Sequence, residues 1–419
     1  MNFKLLALLL LTVSAAYRMF LSWIEYRSAG NPTPENVRDV YDEETYRKWR
    51  AYHGEKCRLQ MLSGFVSFVL EFVLIAINAY SWAAGAFSEN VYVQALSVIL
   101  FDQIVNLPIS VFFEYRDALG IEEKYGFNRS TKKTFVSDQI KQFFISLILV
   151  SGLLCLFALL HRSLGDWVLL LFAAVLFLVI LGIAFLYPFF SRIFNRFTPL
   201  TDEELKRKLT NLLEKNGYKV REIKVMDASR RTSKSNAYFS GYGRSKSIVL
   251  YDTLLSSSTP NEICAVFAHE MGHGLHRDTL KNQAFSFLNV CLIALIAWLL
   301  ARTPEIYASF GFDAVNYGFA FLLMTVALSV LSPLLGLFVN AHSRKAEFRA
   351  DRQAVKEGCG EALVSALKKL ARANFSSLAP SPLLVKLEYS HPPLSERIRA
   401  IEELSAKSRS QNHDGRTNS

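Results

Sequence analysis

The sequence has few cysteines and few charged residues for its length. Five cysteines stand in 419 residues, at positions 57, 155, 264, 291 and 359, and they are scattered without pairing spacings. This argues against a secreted domain held together by disulfides. Only 20% of the residues are charged and 51% are hydrophobic, including 32 Phe. Such a composition is too apolar for an ordinary soluble enzyme.

The hydrophobic residues are concentrated in seven runs, most of them near the ~20 residues that span a bilayer. The runs are 3–23, 61–87, 91–113, 140–160, 167–190, 284–300 and 312–339. We therefore predict an α-helical polytopic membrane protein with seven transmembrane helices in the lipid bilayer. Residues 1–16 also imitate a secretory signal, which is the alternative for the first run. Apolar character resumes after Arg18, which favours a membrane span.

Basic residues alternate between the connectors. The first connector, residues 25–60, carries seven Lys or Arg, whereas residues 88–90 carry none. The third and fifth connectors are again basic, and the fourth and sixth have only Arg162 and Arg302. Because cytoplasmic connectors are rich in Lys and Arg, we predict an outside N-terminus and a cytoplasmic C-terminus, in a bacterial inner membrane or the endoplasmic reticulum membrane. This pattern accounts for most of the net charge of +10, so nucleic acid is not expected as a partner.

The residues His269-Glu270-Met271-Gly272-His273 place two imidazoles one helical turn apart, with a carboxylate after the first. On a helix, both histidines reach one metal ion while Glu270 points to where an activated water would sit. The flanking sequence predicts that helix, because Thr259 can cap it and Pro260 suits its first turn. Residues 261–268 contain no Gly or Pro. The pattern is typical of a zinc hydrolase.

Two histidines are insufficient, because a catalytic zinc takes three protein ligands. A downstream acid is the best third candidate, since Glu347 and Asp351 lie four residues apart in a predicted helix. One carboxylate could bind the metal while the other accepts a proton from a ligand imidazole. In the alternative interpretation, both acids pair with neighbouring basic residues on a solvated face. His276 and His342 are rival ligands.

Two further features are compatible with either function or plain structure. Glu71, Asp102 and Gln103 lie inside apolar runs, which indicates an internal cavity or a purely structural pairing, for example of Glu71 with Arg18. Residues 235–240 and 247–251 predict a β-hairpin just before the metal helix. Such a hairpin either binds an extended peptide at its edge or serves only as scaffold.

Seven stretches carry a resemblance to a known family. They are residues 41–52, 121–128, 197–200, 235–239, 269–273, 347–351 and 390–397. On these stretches the chain resembles the integral-membrane zinc metalloproteases called CAAX prenyl protease 1, over about residues 15–405. HExxH and the Glu347 motif are shared with gluzincins in general. The element Ile-Glu-Glu-Lys-x-Gly-Phe-Asn at 121–128 discriminates this family.

The resemblance implies seven transmembrane helices enclosing a water-filled chamber, with a cytoplasmic gluzincin-like protease domain that contains a small β-hairpin or sheet. It also implies one zinc ion per chain. The implied metal site consists of His269, His273 and Glu347, with Asp351 beside them. The implied catalytic residues are Glu270 as general base and His391 and Arg397 as transition-state and positioning groups. The implied substrate strand consists of Asn236, Ala237, Tyr238 and Phe239.

The expected domain order alternates between membrane and protease segments. Residues 1–190 form helices one to five, 191–283 and 342–405 form the two parts of the protease domain, 284–341 form helices six and seven, and 406–419 form a disordered tail. Three functions stay open for this expected monomer. It is a protease of peptide or protein substrates with a prenylated C-terminal Cys, a quality-control protease of translocon-clogging membrane proteins, or a non-catalytic chamber with structural zinc. The intact Glu270 argues against the third.

Overall fold

A computed structural model describes the backbone of residues 2–240 and 245–417, and side chains there except at 184–194, 239–240, 245–246, 279 and 411–417. The helices are α1 (Phe3–Ser28), α2 (Glu43–Ala76), α3 (Ala79–Gly85), α4 (Val91–Tyr115), α5 (Lys132–Leu164), α6 (Val168–Phe194), α7 (Glu203–Lys215), α8 (Asp252–Ser257), α9 (Pro260–Leu275), α10 (Asp278–Arg302), α11 (Glu305–Ala308), α12 (Tyr317–Lys356), α13 (Gly360–Ala373), α14 (Pro382–Glu388) and α15 (Leu394–Thr417). The strands are β1 (Phe197–Pro199), β2 (Lys219–Met226), β3 (Ala237–Ser240) and β4 (Ser245–Tyr251).

Long apolar helices dominate the first half of the chain. Six described segments are long and apolar enough to cross a membrane, and one of them, Lys132–Ile183, contains α5 and part of α6. The six segments therefore contain seven long helices, α1, α2, α4, α5, α6, α10 and α12. These helices match the seven predicted runs and confirm the predicted fold class. The five cysteines are free, as expected.

The second predicted run is divided in the structure. Its helix, α2, begins well before the apolar residues, where the Asp42 side chain accepts a hydrogen bond from the Thr45 backbone N–H at 2.7 Å. It ends at Ala76, and Asn78 then adopts a φ of 59° before the short helix α3. Asn is one of the few residues that tolerate this left-handed conformation. The apolar run 61–87 is therefore not a single helix.

The last long apolar helix continues past its apolar residues into the segment that carries Glu347 and Asp351. Helix α12 has 40 residues and runs through Pro333 to Lys356, so residues 343–351 extend it without a break. Near its start, Gly318 lies so close to the Ala95 carbonyl of α4 that a Cβ would collide with it. Helix α12 thus connects its packing against α4 to the segment that carries Glu347.

Glu71 and Asp102, two acidic residues in the apolar runs, both contact the hydroxyl group of Tyr80. The Tyr80 hydroxyl lies 2.9 Å from Glu71 Oε2 and 2.9 Å from Asp102 Oδ1. Arg18 instead donates to the Ser14 hydroxyl at 3.1 Å. In the described residues, Glu71 is thus paired with Tyr80 rather than with Arg18. The internal cavity remains a prediction.

A four-stranded mixed sheet packs beside the metal helix. Its order is β1-β2-β4-β3, with β2 and β4 parallel and the outer pairs antiparallel. The antiparallel pairing of β3 with β4 confirms the predicted hairpin strands, while its turn, 241–244, lies outside the described residues. Leucines of α7 and apolar residues of β4 and α9 form one buried core. Strand β3 lies at an edge of this sheet.

The C-terminal segment differs from the expected disordered tail. Helix α15 continues through residues 406–417, and residues 418–419 lie outside the described chain. Arg409 of this helix pairs with Glu361 of α13 at 2.8 Å. Ser408 donates to the Leu404 carbonyl at 3.0 Å. The polar side chains of residues 406–410 therefore lie on an exposed helical surface.

Candidate metal centre

Helices α9 and α12 approach each other closely enough to share a metal ion. A Cβ built on Gly272, the residue before the second histidine, would lie 2.7 Å from Ala350 Cα. Glycine therefore permits the close contact that brings Glu347 to His269 and His273. The start of α9 is fixed by a capping box, in which Thr259 and Glu262 exchange hydrogen bonds with each other's backbone N–H. This confirms the predicted cap at Thr259.

Three side chains offer donor atoms that lie within 4.8 Å of one another, as the ligands of one metal ion would. His269 Nε2 lies 3.5 Å from Glu347 Oε2, and His273 Nε2 lies 3.3 Å from Glu347 Oε1. Two ligands bound to zinc at about 2.1 Å and at the tetrahedral angle are about 3.4 Å apart. Glu347 Oε2 is also buried and accepts no hydrogen bond in the described residues, although Arg397 Nη1 lies 3.2 Å from it. The residues present therefore fit a zinc ion.

The other ring nitrogen of each histidine is held by a carboxylate. His269 Nδ1 lies 2.8 Å from Asp351 Oδ1, and His273 Nδ1 lies 3.2 Å from Asp278 Oδ2. Such contacts orient the rings and favour Nε2 as the ligand atom. Burial lowers the pKa of His273, but hydrogen bonds with Glu347 and Asp278 outweigh it and raise the pKa to about 9. A metal ion would replace that proton.

Asp278 is a site residue that the sequence analysis missed. It begins α10 and also accepts hydrogen bonds from Arg349 at 2.7 Å and Lys281 at 3.3 Å. Burial alone would raise its pKa, but these donors and His273 hold the pKa below its usual value. The signal in the sequence is weak, since Asp278 is simply an acid five residues after His273. Asp278 contacts His273 only because the chain turns at Arg277, which has a left-handed backbone conformation with a φ of 55°.

The rival interpretations of the third ligand are not supported by the geometry. His276 is exposed, and His342 lies 5.5 Å from the Phe285 ring, outside the three-residue donor cluster. Glu347 and Asp351 are only 5% and 1% exposed, so they do not form a solvated charged face. Glu347 is therefore the carboxylate that the structure brings to the two histidines.

Arg397 and His391 reach the same carboxylates from the segment around α15. Arg397 donates from Nε at 2.9 Å and from Nη2 at 2.6 Å to Asp351, and its Nη1 lies 3.2 Å from Glu347. His391 Nδ1 lies 3.0 Å from Glu347 Oε1, and its side chain is exposed. Arg397 is thus occupied with two carboxylates, whereas His391 faces open space at the site.

A cavity of about 310 Å³ opens beside the donor cluster. Its polar lining consists of Glu270, His391, Arg397 and the three metal-binding side chains. Its apolar lining consists of Leu254, Val266, Leu363, Leu367 and Leu370. Asn236 and Ala237 of the edge strand complete the rim. The cavity thus offers an acid–base group and metal ligands facing a surface suited to aliphatic side chains.

Comparisons with known proteins agree with this geometry. Residues 199–405 match peptidase family M48, and residues 23–196 match the N-terminal five membrane helices of CAAX prenyl proteases. The chain is 32% identical over 389 residues to the CAAX prenyl protease 1 homolog of Arabidopsis thaliana, covering 88% of this chain and 90% of that protein. It is 30% identical over 432 residues to CAAX prenyl protease 1 of Saccharomyces cerevisiae, covering 94% of each. The crystal structure of S. mikatae Ste24p matches with a TM-score of 0.88 at 28% identity, covering 95% and 99% of the two chains.

This chain belongs to the CAAX prenyl protease 1 family. It is an integral multi-pass membrane metalloendopeptidase of peptidase family M48 with a His-His-Glu metal site. The predicted family, enzyme class and fold are confirmed.

In the described residues, the edge strand β3 of the protease has a backbone N–H that points away from the sheet. The Tyr251 N–H donates to the Asn236 carbonyl at 3.1 Å, so the alternation of an antiparallel pair turns the Ala237 N–H away from β4. That N–H donates to the Asn236 side-chain oxygen at 2.9 Å. The Tyr238 side chain packs on the far side of the sheet with Met226. The side chain of Phe239 lies outside the described residues.

The family motif at 121–128 supports the edge strand of the protease. Glu122 accepts hydrogen bonds from Tyr52 at 2.6 Å and Lys56 at 3.0 Å, and Lys234 pairs with it at 3.2 Å. Lys234 directly precedes the strand segment. On the other side, Asn374 accepts from the Ser235 N–H at 3.2 Å. Residues of the first and third connectors, together with Asn374 after α13, thereby position the strand at the rim of the cavity.

Proposed function

We propose that this protease uses one zinc ion, held by His269, His273 and Glu347, to hydrolyse a peptide bond near the C-terminus of a prenylated CAAX-type substrate. The observation that carries the proposal is the donor spacing of 3.3 and 3.5 Å beside Glu270 in one cavity. The carboxylate partners of both histidines support it further. A metal that served only a structural role would not require Glu270.

Each residue of the site has a distinct role in the proposed hydrolysis. Zinc bound at this site supplies Lewis-acid polarisation of the scissile carbonyl and makes a bound water more acidic. Glu270 lies in the cavity, where it accepts the proton of the attacking water and returns it to the leaving amine. His391 donates to the oxygen on which negative charge develops. Asp351 and Asp278 keep the two imidazoles oriented.

The edge strand holds the substrate. The free edge of β3 presents the Ala237 N–H to an extended peptide, which would displace the Asn236 side-chain oxygen from it. Main-chain pairing of this kind binds peptides with little regard for their sequence. The Asn236 amide is then free to bond a substrate backbone group. The leucines across the cavity favour an aliphatic residue next to the scissile bond.

The substrate proposal is tested with matched peptides. A C-terminally prenylated peptide and the same peptide without the prenyl group are incubated with the purified protease in lipid vesicles, and kcat/KM is measured for each. We expect the prenylated peptide to be cleaved faster, because its lipid places it at the membrane-embedded enzyme. The variant Glu270→Gln serves as the inactive control. Equal cleavage of both peptides would favour the quality-control function instead.

We further propose that the protease part is assembled from 191–283 and 342–405, on the cytoplasmic side, and that the N-terminus lies outside. The packing of α9 on α12 supports the assembly, and the distribution of basic connectors supports the orientation. On a cysteine-free background, an impermeant thiol reagent applied to intact cells should label a cysteine at position 89 but not one at position 396. The reverse labelling pattern would contradict the orientation.

A further inference from the structure

A second cluster of metal-ligating side chains lies between α1 and α2. Glu25 is near the C-terminal end of α1, and His53 and Cys57 lie one turn apart on α2. One donor atom from each residue falls within 4.8 Å of the others. None of the three belongs to the catalytic centre, whose ligands come from α9 and α12. The function proposed above leaves these residues without a role.

The two donors on α2 are already at ligand spacing. His53 Nε2 lies 3.7 Å from Cys57 Sγ. With Zn–N near 2.05 Å, Zn–S near 2.3 Å and a tetrahedral angle, the expected separation is about 3.6 Å. His53 Nε2 also lies 3.2 Å from the Glu25 backbone carbonyl. Metal binding would therefore move the ring proton to Nδ1, a change of tautomer without a change of ring position.

The surroundings hold these groups in place. The His53 ring stacks on the buried Trp49 at a centroid distance of 5.1 Å and an angle of 18°. A Cβ on Gly54 would lie 3.6 Å from the Tyr26 ring, which is ordinary contact distance, so α1 packs directly against α2 at this point. Cys57 is 2% exposed. Glu25 and His53 are half-buried. Because His53 and Cys57 are already held by packing, they lose little entropy when the ion binds.

We propose that Glu25, His53 and Cys57 bind a thiophilic divalent ion, Zn²⁺ in particular, as a structural site that joins α1 to α2. A thiolate, an imidazole and a carboxylate select a borderline-soft metal over Mg²⁺ or Ca²⁺. On binding, the Cys57 thiol releases its proton to solvent, so the thiolate and the carboxylate balance the two charges of the ion. Water completes the four-coordinate shell.

Cobalt distinguishes this site from the catalytic one. Full-length protein in detergent is stripped with a chelator and titrated with Co²⁺. Cobalt bound to a thiolate shows a sulfur-to-metal charge-transfer band in the near ultraviolet, whereas the catalytic donors are two imidazoles and a carboxylate. We expect about two ions per chain, with the sulfur band tracking one of them.

Variants test which residues bind the cobalt ion that gives the sulfur band. Cys57→Ser and His53→Ala should each abolish it and remove about one ion per chain. Both should retain the catalytic ion and cleave peptide after reloading with zinc, which shows that they fold. The matched control Cys155→Ser, a cysteine of α5, should keep the band. Absence of a sulfur band in the unaltered protein, or a band that survives Cys57→Ser, would overturn the site.

Discussion

The carboxylate of Asp278 provides a test of how the catalytic site holds its metal. Asp278 binds His273 Nδ1 at 3.2 Å without being a ligand itself. Removing such a partner typically weakens metal binding about 10- to 100-fold, which corresponds to about 1.4 to 2.7 kcal/mol. We expect Asp278→Asn to show this loss in a zinc competition assay with a chromophoric chelator, measured at pH 9.

The pH dependence makes the test specific. The pKa of His273 is raised to about 9, so its proton stabilises the metal-free fold below that pH and competes with the metal. Zinc affinity should therefore rise about tenfold per pH unit until pH 9. In Asp278→Asn, the loss of the hydrogen bond with the Asp278 carboxylate lowers the pKa of His273 relative to the parent, and the competition ends at a lower pH. The difference between variant and parent should thus shrink between pH 9 and pH 7.

Two outcomes would refute this reasoning. Equal zinc affinity at pH 9 would mean that Asp278 does not support the ligand. If the difference in zinc affinity between variant and parent grew from pH 9 to pH 7, Asp278 would not be raising the pKa of His273, and the reasoning would be wrong. The matched control is Asp313→Asn, an exposed carboxylate that touches none of the metal-binding residues. Its zinc affinity should equal that of the parent at both pH values.

The remaining predictions concern the other site residues. Glu347→Ala should lose zinc while His342→Ala retains it; normal zinc in Glu347→Ala by metal analysis would exclude it as a ligand. Glu270→Gln should bind zinc normally and turn over several orders of magnitude more slowly; near-normal turnover would exclude it as the base. Asn236→Ala should lower kcat/KM about tenfold or more, from a lost hydrogen bond of about 1 to 3 kcal/mol, with zinc unchanged. Ala237→Pro, which removes the outward N–H, should abolish cleavage. Parental rates in both strand variants would leave the strand as scaffold.

The parts that the sequence predicted correctly depend on local information. Apolar runs report membrane helices because their length must match the bilayer. The metal helix was predictable because its cap at Thr259, its spacing and its Glu270 are all encoded within fifteen residues. The end of α2 was missed because apolar composition continues past Ala76 while the backbone turns at Asn78. Composition alone contains no record of that turn.

The parts that were missed depend on pairings between distant segments. Strands β2 and β4 pair in parallel although β3 lies between them in the sequence, so a hairpin pattern cannot predict their pairing. Asp278 approaches His273 only through the turn at Arg277. The support of the edge strand by Glu122 and Asn374 joins segments more than 100 residues away from it. The family motif at 121–128 marked this region as specific but did not indicate what it contacts.

The contacts of Arg397 and His391 indicate different roles for these two residues, which the sequence analysis treated together. Glu347 and Asp351 are both buried, one turn apart on α12, and Arg397 contacts both carboxylates. Removing it would leave two buried carboxylates without that partner, which typically costs several kcal/mol. Arg397 also lines the cavity, but each of its three guanidinium nitrogens already contacts one of these carboxylates. We infer that Arg397 holds the ligand and its neighbour in place, and that His391, exposed at the cavity, is the group available to the developing oxyanion.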